Sequence, residues 1–214
     1  MKKLLITLGL AGTVALSSYA QGFVIFSSST QNISTNNIVT GATGKVAGAG
    51  NFYFALFYST TVSSGAAIQG NSSLYAFNDS ADWTLVTQSY GANTATAGRF
   101  AAINPNADNT TTVNGLAGGA NADFVVVGWS ANLGSSISAL ETALAGGIGG
   151  YLGQSVVSGV ETAGNGTTVP APALFGSSAP SIQGFTLGST VPEPGTLALA
   201  ALGVSSLLML RRKK

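Results

Sequence analysis

At 214 residues the chain has room for one domain plus terminal signals, and nothing in its length demands a second domain. Only 7% of residues are charged against 45% hydrophobic, which supplies a core but excludes ion-pair networks as the main stabiliser. Six of the eight basic residues lie in the terminal segments; between residues 21 and 190 only Lys45 and Arg99 face six acids, two against six leaving −4, so nucleic-acid binding is excluded for want of a basic stripe.

Cysteine and histidine are both absent. There is thus no disulfide framework, and the commonest general base and transition-metal ligand is missing. The chain opens with Lys2 and Lys3, an apolar run over residues 4–16 and the small-residue end Ser17, Ser18, Tyr19, Ala20. That order predicts a secretory signal peptide over residues 1–20, cut between Ala20 and Gln21.

From Gln21 the pattern turns to strands. Phe23, Val24, Ile25 and Phe26 form a short β-branched and aromatic run; residues 32–37 read as a polar loop, residues 38–40 as a strand and residues 41–50 as a glycine-rich turn region. The strongest strand spans residues 51–60. Phe52, Phe54, Leu56 and Tyr58 share one face of it and Tyr53, Ala55 and Phe57 the other, so both faces are expected to be buried. Residues 74–77 and 83–87 are expected to pair around Asn78, Asp79 and Ser80. Over residues 91–119 periodicity is weak, with short strands expected at 99–103 and 111–113.

Residues 122–130 carry a valine run ending in Trp129 and predict a second core strand. Ser135 or Ser136 then caps a helix through Ala145, with Ile137, Leu140 and Leu144 on one face and Gly146 and Gly147 as the stop. Residues 153–160 and 182–187 read as closing strands. The fold class expected is mainly β: an antiparallel β-sandwich or a jelly-roll or barrel-like domain over residues 21–188, with one short helix at about residues 135–145 and a C-terminal hydrophobic helix.

Chemistry has few candidates. Lys45, the lone lysine of the body, sits in a glycine-rich turn and reads as solvated rather than as a base. Glycoside hydrolysis needs two carboxyls, and Asp123 at a strand start with Glu141 on the helix are the pair to examine; exposed acids at a strand end and on a polar helix face are the stronger explanation of both. Alternating oxygen ligands at Asn104, Asn106 and Asp108, and at Asn78, Ser80 and Asp82, leave a weak possibility of calcium, although Asx-turns explain both segments and neither matches a helical-hand loop. No other cofactor or metal is expected. Tyr90 and Tyr151, each beside turn residues, are the candidate glycan contacts, whereas Trp129 reads as core.

The last segment is the most specific. Val191, Pro192, Glu193, Pro194, Gly195 and Thr196 precede an apolar run over residues 197–210, and Arg211, Arg212, Lys213 and Lys214 follow. This order closely resembles the PEP-CTERM sorting signal of exported proteins from Gram-negative bacteria that secrete polysaccharide. The resemblance implies processing by an exosortase, a membrane transpeptidase, near Pro192, Glu193 and Pro194. It further implies a transient membrane helix over residues 196–210, a basic cytoplasmic stop at residues 211–214, and association with exopolysaccharide and biofilm. Gly195 stands where Ser or Thr is common. The resemblance covers the tail alone and carries no active site to the body, with residues 189–195 as the linker.

Fourteen apolar residues span roughly 21 Å as helix, short of a hydrocarbon core of about 30 Å, so the tail reads as a temporary handle rather than a permanent anchor. The expectation is therefore a non-enzymatic cell-surface or matrix protein. A carbohydrate-binding module or carbohydrate-active enzyme using Asp123 and Glu141 is one alternative; an unprocessed tail-anchored envelope protein is the other.

Overall fold

The computed structural model describes residues 21–30, 32–177 and 180–190. The signal segment, the Pro-Glu-Pro motif, the expected C-terminal helix and the basic stop lie outside the described residues. Within them no helix is long and apolar enough to cross a membrane.

The centre is the pair β4 (Phe52–Ser59) and β9 (Asn121–Ser130), antiparallel and in unbroken register from Phe52 opposite Ser130 to Ser59 opposite Asp123. Both runs are apolar at consecutive positions, as a strand covered on both sides requires. β6 (Thr84–Asn93) and then β7 (Phe100–Ala102) continue the sheet beyond β4. Beyond β9 come β10 (Gly150–Gln154), β12 (Phe185–Thr190), β2 (Ile33–Asn36) and β3 (Thr43–Lys45). Two short strands, β5 (Ile68–Gln69) and β11 (Glu161–Thr162), pair with β10 and β9. All these pairs are antiparallel except β12 with β2, which run parallel.

The sheet curls until its margins meet. Ile33 N–H donates to Gly98 O, Gly98 N–H to Val46 O, and Ser28 N–H to Phe100 O. A two-stranded ribbon of β1 (Gln21–Val24) and β8 (Thr111–Ala117) covers the inner face, where Tyr58 Oη donates to Asn114 O at 3.1 Å. The inner core gathers around Phe100, whose ring stacks on Phe54 at 4.4 Å and meets Phe26 and Phe175 edge-on at 5.0 and 5.1 Å. The outer face is covered by α1 (Ile137–Ala145), which lays Ile137, Leu140 and Ala143 over Trp129, Val127 and Leu152. Ser136 is its N-cap, accepting from Ala139 N–H at 3.3 Å, and Gly147 follows at φ 70°, where a glycine is needed. Trp129 is fully buried and its indole N–H donates to Gly134 O at 2.7 Å.

The mainly β, barrel-like reading with one short helix agrees with this fold, and five local expectations do not, the first being the turn region at residues 41–50, which holds β3 paired with β2. Residues 38–40 form a hairpin turn rather than a strand, because Asn37 Oδ1 accepts the N–H groups of Val39 and Thr40. The strand is instead β2, inside the expected polar loop; Ile33 anchors it in the core and Ser34 bonds Thr186 side chain to side chain at 2.9 Å. Residues 74–77 do not pair with residues 83–87. Tyr75 is core, but it is reached through a 3-10 turn (Ala76–Asn78) held by Gln154 Oε1, which accepts from Ala76 N–H at 2.8 Å. The expected strand at 153–160 stops at Gln154, beyond which the hydroxyls of Ser155 and Ser158 accept from Val126 N–H and Phe124 N–H in place of carbonyls.

Candidate functional site

Asp123 and Glu141 are not brought together. Asp123 lies near the start of β9 opposite Ser59, on the outer face of the sheet; it is buried, and its Oδ1 has no hydrogen-bond partner. Burial pushes its carboxyl above the ordinary carboxylate range. Glu141 is exposed on α1, beside a cleft of about 300 Å³ that Phe77, Asn78, Leu144 and Leu152 also line. Leu152 stands opposite Trp129, six residues along β9 from Asp123, which is ~20 Å of strand. A second buried acid, Glu161, faces the other side of the sheet from its position opposite Ala122, and burial raises it as well.

Tyr90 and Tyr151 lie on opposite faces. Tyr90 is half-buried on the α1 side, edge-on to Trp129 at 6.2 Å, and its Oη accepts from Ile137 N–H at 3.3 Å. Tyr151 is half-buried on the inner side, against Phe52 at 6.3 Å. Each ring has one flank committed to packing, and no single ligand face unites them.

A larger concavity lies elsewhere. A groove of about 670 Å³ opens between residues 106–110 and residues 166–171, with Phe23 of β1 at its base. Its first wall is a turn in which Asn109 adopts φ 63° and Asp108 Oδ1 accepts from both Thr110 N–H, at 3.1 Å, and Thr110 Oγ1, at 2.7 Å. Those bonds hold the Asp108 carboxyl below its usual range. Asn106 Nδ2 donates to the hydroxyls of Thr110 and Thr112, which stiffens the same turn. The opposite wall is pinned by Asn165 Oδ1, which accepts the N–H groups of Thr167, Thr168 and Val169.

Phe23 joins the walls: it pairs with Thr112 across the ribbon and exchanges backbone hydrogen bonds with Gly164. Half-buried Phe23 thus lies between walls that mix the polar side chains of Asn106, Asp108, Thr110, Thr167 and Thr168 with apolar Ala107, Val169, Pro170 and Ala171, a lining in which an aromatic ring stands beside hydroxyls, an amide and a carboxylate. In the sequence, Asn106 and Asp108 stand out as oxygen ligands and Phe23 only as part of a strand. The missed signal is alternation, since Val24 and Phe26 point inward and thereby leave Phe23 outward. Among the described residues no group of three or more His, Cys, Asp or Glu is placed to hold a metal.

The sorting residues Pro192, Glu193, Pro194, Arg211, Arg212, Lys213 and Lys214, and Ala20 of the expected signal-peptidase site, lie outside the described residues; Gln21 opens β1. The chain reaches the motif directly from β12, which ends at Thr190 and is an interior strand between β2 and β10. Comparison with family models identifies a PEP-CTERM protein-sorting motif over residues 190–213. The motif supports an exported protein sorted by an exosortase. No curated protein and no solved structure matches the chain.

Proposed function

We propose that the chain is a non-enzymatic protein of the cell surface or extracellular matrix, released from residues 1–20 on export, cut by an exosortase at Pro192, Glu193 and Pro194, and associated with exopolysaccharide. The observation that carries this reading is the sorting motif over residues 190–213. The fold is compatible with such processing. β12 is complete at Thr190 and bonded on both sides, so a cut beyond it leaves the sheet and both cores whole. The body meets water with hydroxyls and amides rather than charge, which fits a hydrated glycan matrix.

Replacement of Pro192, Glu193 and Pro194 together by alanine, followed by mass spectrometry and localisation of the product, tests this. Loss of cleavage and of surface display is expected; unchanged cleavage and display would overturn the exosortase step. An unprocessed, tail-anchored protein would instead show an intact C-terminal segment in surface fractions of the parent chain.

A second reading is favoured by the groove above Phe23. There the body acts as a carbohydrate-binding module, with the ring stacking on a sugar and Thr110, Thr167, Thr168 and Asp108 meeting its hydroxyls. The separation of Asp123 from Glu141 gives no support to a two-carboxylate hydrolase built on them.

A further inference from the structure

The strand from which the tail departs has a neighbour on each side, and both neighbours carry exposed aliphatic side chains at the same end. β2 runs parallel to β12, with Asn36 opposite Gly188, so the turn that follows β2 projects past the level of Thr190. That turn bears Ile38 and Val39, 52% and 72% exposed. It is tied to the exit strand, because Ile38 N–H donates to Ser189 Oγ at 2.9 Å. β10 runs antiparallel to β12 with Gly150 opposite Thr190, so the residues leading into β10 project past the same end. They include Ile148, 49% exposed.

Of the carboxylates, Asp123 opposite Ser59, Glu161 opposite Ala122 and Asp82, two residues before Thr84, lie toward the far end of β9, whereas Glu141 on α1 lies beside Leu152, toward the exit end. Exposed aliphatics occur toward the far end too: Val160 beside Glu161, and Val156 between Ser155 and Ser158, which bond Val126 and Phe124. Six residues separate Thr190 from the apolar run that begins at Leu197, a span of at most ~25 Å when fully extended. The exit end of the body is therefore the end held next to that run.

We propose that this end of the sheet is a lipid-facing surface, with Ile38 and Val39 on one side of the exit strand and Ile148 on the other seated in the headgroup region of a bilayer. Aliphatic side chains that stand in water gain by entering that layer. The two flanks bracket the strand that leads into Pro192, so docking holds the processing motif at the membrane surface before it is cut. The inference rests on the reading of residues 197–210 as a membrane segment.

The absence of cysteine allows a direct test with single-cysteine variants. The full chain carrying Val39→Cys, Ile148→Cys, Val160→Cys or Leu202→Cys is labelled with a polarity-sensitive fluorophore and reconstituted in phosphatidylcholine vesicles with an anionic-lipid fraction. Each label is then challenged with aqueous iodide and with a lipid-borne quencher. Labels at 39 and 148 are expected to show iodide quenching several-fold weaker than the label at 160 and to be reached by the lipid-borne quencher, as is the label at 202. If 202 is reached from the lipid while 39 and 148 are as open to iodide as 160, the docking surface is refuted and the membrane segment stands. A label at 202 that answers only to iodide refutes the membrane segment and the docking surface together.

Discussion

Asp123 stands directly opposite Ser59 across the β4–β9 ladder, yet Ser59 Oγ turns to its own chain, where it accepts from the N–H groups of Thr61 and Val62 and shares a hydrogen bond with Thr61 Oγ1. Asp123 Oδ1 is buried and unpartnered. The unfolded chain ionises this carboxyl near its ordinary pKa of about 4, the fold only at higher pH, because burial disfavours the charge. The unfolded state then holds fewer protons, so stability falls as pH rises through that window and the full penalty persists at neutral pH. Asp123→Asn is expected to raise stability at pH 7 by about 1 kcal/mol, a few degrees in Tm, and to leave it unchanged at pH 3. Thermal melts at both pH values check this. Asp108 acts in the opposite sense: its carboxyl is held low by Thr110, so its contribution is present above the ordinary carboxylate pKa and is lost as the solution is acidified.

Glycines open a seam between β9, β10 and β12. Gly128 stands opposite Gly153, and Leu187 Cδ2 approaches both. A Cβ at Gly153 would meet Thr186 O at 2.4 Å and Leu187 Cα at 2.9 Å, backbone that cannot yield without breaking the β10–β12 pairing. A Cβ at Gly128 would meet the Phe54 ring at 2.8 Å, a side chain with some freedom. Gly128→Ala is expected to cost about 1–3 kcal/mol and Gly153→Ala more, with the order read from urea midpoints. Equal midpoints for the two variants would contradict this account of the seam.

Tyr75 is fully buried and donates its hydroxyl to Gly70 O at 2.7 Å. Burial pushes its phenol well above the ordinary value. As pH climbs past about 10 the unfolded chain loses this proton while the fold retains it, so stability declines on the alkaline side. Tyr75→Phe is expected to cost about 1–2 kcal/mol at pH 7, because Gly70 O loses its donor, and to show a shallower alkaline decline. Denaturant titrations at neutral and alkaline pH measure both.

If the groove binds glycan, Phe23→Ala should weaken retention on the cognate exopolysaccharide about tenfold in affinity electrophoresis, as loss of one stacking contact implies. Glu141→Gln, on the other face of the molecule, should be retarded by the polysaccharide to the same degree as the parent, relative to its own mobility without it. A Phe23→Ala protein that is folded by circular dichroism and still fully retained would remove the groove from consideration.

Local chemistry alone determined the motif at the tail, the helix with a serine cap at 135 or 136, the two-faced strand β4 and the core strand β9, because each is written in residues adjacent in the chain. Their periods of 2 and 3.6 need no distant partner to be recognised. Tertiary structure decided what adjacency could not. Residues 33–36 are as polar as a loop and become strand only because β12 and β3 arrive on both sides to take their backbone groups. The groove exists only where residues 106–110 and 166–171, far apart in sequence, meet over Phe23. The separation of Asp123 from Glu141, of Tyr90 from Tyr151, and the gathering of Ile38, Val39 and Ile148 around the exit strand follow from strand order, which is set by long-range pairing.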